Sequence, residues 1–152
     1  MQDARESEAL GALNRAEMLL DALADEALPP TRREEVDRRL WWGYNKLGMR
    51  RLDAGEFDDA LEALLHATRF HGVGPERQAP TRAALARAVA GVTDVRALAI
   101  RQLANEGDRE AAVVECDKLW TLLRSATEAG VTEDQLSTVI AKVRRLVDTV
   151  RR

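Results

Sequence analysis

Aromatic residues make up only 4% of the 152-residue chain, and cysteine occurs once, at Cys116. A single thiol excludes an intramolecular disulfide and suits a reducing compartment. Nowhere do about 18 apolar residues run without charge, so no segment is expected to span a membrane. The opening residues are acidic and lack the apolar core of a secretory signal. Lysine is confined to Lys46, Lys118 and Lys142, and arginine supplies the other positive charges. Arginine and alanine in place of lysine suggest a GC-rich bacterial genome and a cytoplasmic protein. Neither charge sign dominates: 23 basic residues face 26 acidic ones, a net charge of −3, which argues against a chain built to coat phosphate backbones.

Strand signals are nearly absent, while apolar residues recur at offsets of three and four throughout. A length of 152 residues favours one domain over 1–152, with a core that needs no metal or disulfide. The punctuation predicts about seven helices. The first covers about 3–28 and stops at Pro29-Pro30. Thr31 and Glu34 have the spacing of a capping box for a second helix over 32–53, closed by Gly55. The third carries Leu61, Leu64 and Leu65 to about Phe70. Residues 71–80, with two glycines and two prolines, read as a loop. A short helix follows to Ala90. The run Ala90-Gly91-Val92-Thr93-Asp94 then reads as a stop and a new cap, as does Ala129-Gly130-Val131-Thr132-Glu133. Between these lie a helix to about Glu106, a turn at Gly107-Asp108 and a helix to about Glu128. The last helix, within 132–151, places Leu136, Val139, Ile140, Val143, Val147 and Val150 on one stripe.

The chain also repeats. Residues 44–67 contain Tyr44, Leu47-Gly48, Gly55, Phe57, Ala60 and Ala67 in an order that resembles a tetratricopeptide (TPR) unit. Gly48, Ala60 and Ala67 would let two antiparallel helices approach closely, with Tyr44, Leu47 and Phe57 filling the seam. Arg51 stands where the pattern has Tyr, Leu64 replaces an aromatic, and Gly72 replaces the closing Pro. A fainter copy turns at Gly107-Asp108. The best repeat spans 36–70, a degenerate one spans 93–128, and 132–151 would be a capping helix. The resemblance implies an all-α fold of antiparallel hairpins stacked as in TPR proteins.

It further implies a non-catalytic adaptor or scaffold that holds a peptide or helix of another protein. Matching positions to the groove of that family selects Trp42, Asn45, Lys46, Met49 and Leu52, joined by Leu98, Arg101 and Asn105 of the second copy. The family's terminal-carboxylate clamp is not reproduced by Asn45 and Met49. On the second helix, Leu40, Tyr44, Leu47 and Arg51 share one face, and Trp42, Asn45 and Met49 the opposite one. The first helix could cover Trp42 and Met49 and turn them into core. Alternatively, the stripe over 136–150 could coil against a second copy.

Catalytic patterns are poor. His66 and His71 are the only histidines, Glu62 and His66 make at most two metal ligands, and Cys116 lies between two acids. No phosphate loop occurs, and no cofactor or metal is expected. Arg32, Arg33, Arg38, Arg39, Lys46, Arg50 and Arg51 lie near two tryptophans, which could suit nucleic acid. However, Asp3, Glu6, Glu8, Glu17, Asp21, Asp25 and Glu26 oppose only Arg5 and Arg15 over residues 2–28. An acidic helix packed beside a basic one accounts for both without an outside partner.

Overall fold

A computed structural model describes residues 2–22 and 29–152, which form helices joined by short turns, with no strand among them. The elements are α1 (Gln2–Ala22), α2 (Pro30–Asp53), α3 (Phe57–Thr68), a 3-10 turn (His71–Val73), α4 (Pro75–Asn105), α5 (Arg109–Glu128) and α6 (Glu133–Arg151). The count is therefore six α-helices among the described residues, where the punctuation predicted seven. The expected extension of the first helix over 23–28 lies outside the described residues. The chain divides into two compact units, Met1–Thr81 and Arg82–Arg152.

Three helices close in the same way. After α2 the amide of Gly55 donates to Leu52 O and that of Glu56 to Arg51 O. The same pair of bonds recurs at Gly107 and Asp108, and at Gly130 and Val131. Gly55, Gly107 and Gly130 all have positive φ, between 76° and 100°, where an L side chain would be strained. Asp108 then caps α5 by accepting from the Ala111 amide at 3.2 Å. Thr132 and Gln135 form a reciprocal capping box at the start of α6.

Three expected boundaries differ. Gly91 lies inside α4, is buried and has no positive φ, because the apolar stripe of Leu85, Ala88, Val92 and Ile100 continues past it. Thr93, expected as a cap, instead donates its hydroxyl to Val89 O at 2.8 Å. Residues 71–80 are not an open loop. Pro75 opens α4 with its ring preset for the first helical position, and buried Gln78 donates to the carbonyls of Ala67 and Phe70. Pro80 lies farther along α4 on an exposed side, where water can serve the carbonyl it leaves unbonded. Finally, Thr31 is not a cap: α2 starts at Pro30 after Pro29, with no side-chain cap bond.

In the first unit, the core joins Leu20, Leu40, Tyr44, Ala67, Phe70 and Val73, with Leu10, Leu13, Val36 and Trp41 packed against it. The seam between α2 and α3 is close. A Cβ on Gly48 would lie 2.6 Å from Leu64 Cγ, and Ala60 and Ala67 have no exposed surface. In the second unit Ala112, Cys116, Leu119 and Leu123 of α5 are buried. So are Leu136, Val139, Val143, Leu146 and Val150 of α6. Of the stripe considered for coiling against a second copy, Leu136, Val139, Val143 and Val150 are buried within the chain, while Ile140 and Val147 are half-buried.

Candidate functional site

The helical period of α2 puts Leu40, Tyr44 and Leu47 inward and turns Trp42 outward, 56% exposed. The Lys46 ammonium sits 4.6 Å from the Trp42 ring centroid, a cation–π contact one turn along the helix. A cleft of about 810 Å³ opens on this side, lined by Ala9, Ala12 and Leu13 of α1 and by Trp42, Gly43 and Lys46 of α2. Leu13 packs so near Gly43 that a Cβ there would meet its Cδ2 at 2.7 Å. α1 therefore forms one wall of the cleft and leaves the indole open. A second cleft, about 640 Å³, is lined by Glu35, Arg38, Arg39, Trp41, Trp42 and Arg77.

The other residues selected from sequence fall in several places. Asn45 is half-buried, and its side-chain oxygen accepts from Thr81 Oγ1 at 2.6 Å, while Trp41 Nε1 donates to the same Thr81 oxygen at 3.2 Å. Met49 is half-buried and lines neither cleft. Leu52 is 5% exposed and belongs to the core, because the face it shares with Tyr44's side of α2 turns inward at the end of the helix. Leu98, Arg101 and Asn105 are exposed on α4 in the second unit, Leu98 to 69%.

Beneath the α1–α2 packing lies a polar cluster that sequence reasoning missed. Glu17 of α1 is 8% exposed. The Tyr44 hydroxyl donates to its Oε2 at 2.8 Å and lies 2.7 Å from the Asn14 amide group. His66 Nδ1 reaches the same Oε2 at 2.9 Å, and Arg69 reaches Oε1 at 3.2 Å. Burial, and then the bond to Glu17, hold the Tyr44 phenol far above its ordinary value, so it stays neutral. The Tyr44 ring also stacks on those of His66 and Phe70. Its partners stand 27 to 52 residues apart in sequence, so no local spacing announced it. The only hint was an acid at a position of α1 flanked by the core residues Leu13 and Leu20.

Arg51 makes a second link. Its guanidinium meets Glu6 of α1 at 3.0 Å, Glu56 at 2.5 Å and Asp59 of α3 at 3.5 Å. The TPR pattern has Tyr at this position; here an ion-pair hub fills it. Of the expected acidic-against-basic packing, Glu6–Arg51 is a pair between α1 and α2, while Arg39 pairs with Glu35 of its own helix.

Cys116 is buried, and its thiol is pushed up by burial, with the Asp117 charge adding to the effect. That makes the reactive thiolate scarce at neutral pH. Among the described residues no group of three or more His, Cys, Asp or Glu could hold a metal ion. No helix of the described residues is long and apolar enough to cross a membrane. Comparison with family models, with curated proteins and with solved structures finds no match for the chain.

Proposed function

We propose that the chain is a TPR-like stack of helical hairpins that acts as a non-catalytic interaction module, holding a peptide or helix of a partner protein on the Trp42 face. The observation that carries this reading is the indole itself: a large apolar ring, 56% exposed, standing at the edge of two clefts. Water-exposed tryptophan beside a concave surface is the kind of anchor that partner binding rewards. The close approach of α2 and α3 at Gly48, with Ala60 and Ala67 fully buried, supports the TPR-like hairpin. A non-catalytic role fits the chemistry of the titratable groups. The Glu17 cluster is buried and internally bonded, and Cys116 is buried with a raised thiol pKa. Lys46 contributes its charge beside the ring, and exposed Leu98, Arg101 and Asn105 are candidates for contacts made by the second unit.

The test compares capture of cellular proteins, after crosslinking, by the full chain and by Trp42→Ala. Loss of specific partners with unchanged circular dichroism and melting supports the reading. Undiminished capture by the folded variant refutes it.

A further inference from the structure

The two clefts that flank Trp42 have a charge character that the chain as a whole lacks. Net charge over 152 residues is −3, yet Arg5, Lys46 and Arg50 line one cleft and Arg38, Arg39 and Arg77 the other. Only two carboxylates share those linings, and both are already engaged. Glu6 pairs with Arg51 at 3.0 Å, and Glu35 with Arg39 at 2.9 Å. Arg38 and Arg77 form no ion pair with a described residue, and both are exposed. The half-buried Trp41 and the open Trp42 supply an apolar floor between these cations.

α1 shows what kind of segment such a surface accepts. It is helical, it sets Leu13 against Gly43, and it anchors two acids, Glu6 on Arg51 of α2 and Glu17 on Arg69 just beyond α3. The same chemistry, one helix farther round, remains unoccupied at Trp42. We propose that the Trp42 face docks an acidic amphipathic helix of a partner protein, gripped through carboxylate side chains along its length and one large apolar side chain laid beside the indole. This rests on the interaction-module reading above and gives its partner a chemistry. The grip is on internal carboxylates and not on a chain end, so it does not require the Lys and Asn clamp that Asn45 and Met49 fail to form.

A nucleic acid strand fits less well. Lys46 already covers one face of the Trp42 ring, which leaves a base only the other for stacking. The surrounding chain is net negative, so long-range attraction for a polyanion is missing. A short acidic helix needs only the local field of the clefts, within a Debye length.

The experiment selects a displayed library of random peptides on the full chain and discards those that still bind Trp42→Ala. The Trp42-dependent peptides are then made with amidated C-termini and titrated by fluorescence anisotropy. Expected are sequences rich in Asp and Glu with one aromatic or leucine. Replacing their acids by Asn and Gln should weaken binding about tenfold, as should the double change Arg38→Glu with Arg77→Glu in the receptor. The milder pair Arg38→Gln with Arg77→Gln should weaken it less, and every effect should shrink at high salt. Both arginines are exposed, and unchanged melting verifies the fold.

Neutral or basic Trp42-dependent peptides would overturn the acidic chemistry while leaving the module reading intact, and so would amide counterparts that bind equally well. If no peptide depends on Trp42, both fall. Tighter binding of single-stranded polyuridine than of any peptide would assign the face to nucleic acid and overturn the proposal.

Discussion

The rings of Tyr44 and His66 lie 4.8 Å apart and within 11° of parallel, and the Tyr44 hydroxyl and His66 Nδ1 meet the same oxygen of Glu17. One carboxylate, buried on α1, thereby ties together side chains of α2 and α3. Removing it leaves both groups without that partner inside the protein. Glu17→Ala is expected to cost about 2–3 kcal/mol, while Glu17→Gln, which still accepts from Tyr44, should cost about half as much. Arg69→Ala should change little, below about 0.5 kcal/mol, because that side chain is 66% exposed. Urea unfolding of the three variants checks the order.

The same cluster sets an alkaline limit. The ordinary tyrosine value is 10, and folding raises that of Tyr44. A group raised on folding holds its proton in the native state after the unfolded chain has lost it. Its stabilising contribution is therefore complete below about pH 10 and is lost as pH climbs from there toward the folded value. Unfolding free energy should fall more steeply between pH 9 and 11 in the parent than in Tyr44→Phe, with about pH 10 as the point where the two diverge. Parallel curves would contradict this.

Glycine-to-alanine changes should split by location. At Gly48 a Cβ meets Leu64 Cγ and Cδ2 at 2.6 and 2.7 Å, and Leu64 has no exposed surface and no room to yield. Gly48→Ala should lose about 1–3 kcal/mol despite alanine's better helix propensity. At Gly11 only the tip of Arg15 lies nearby, at 3.6 Å, so Gly11→Ala should gain roughly 0.5–1 kcal/mol. Thermal melting separates the two signs.

Two nearly identical pentapeptides have opposite fates, and that difference is testable. Thr132 caps α6, so Thr132→Val should cost about 1 kcal/mol. Thr93 is internal to α4, and its hydroxyl bonds only a carbonyl of its own helix, so Thr93→Val should stay within about 0.5 kcal/mol of the parent. Equal losses from denaturant titrations would contradict the structural distinction.

Those pentapeptides also show where sequence reading reaches its limit. At both places Ala-Gly-Val-Thr-acid offers a stop and a start, and local preference cannot choose between them. The choice is made by the flanking apolar stripe. It runs on through Val92, Ala97 and Ile100 in one helix, whereas Val131, also buried, is followed directly by Thr132 and the acids Glu133 and Asp134 that open α6. The breaks at Gly55 and Gly107 were legible because no stripe competed with them. The prolines misled over 71–80, since Pro75 begins a helix and Gln78 is buried beneath the end of α3. At the candidate site, the helical period put Trp42 opposite Tyr44 on α2, but that α1 leaves the indole uncovered was decided by packing. The cations of α1 and Arg77 did not, because their meeting with Trp42 depends on tertiary packing. The Glu17 cluster had no local spacing to betray it.

Glu6 and Glu17 are separated by eleven residues, about three helical turns, and so point the same way from α1. One is pinned by Arg51 and the other by Tyr44, His66 and Arg69. Two pins along one edge index a rod as a key indexes a lock: a slide by a single residue would swing both carboxylates about 100° out of reach. The leading helix accordingly has one permitted axial setting and one permitted azimuth, whereas leucine contacts alone would tolerate neighbouring ones.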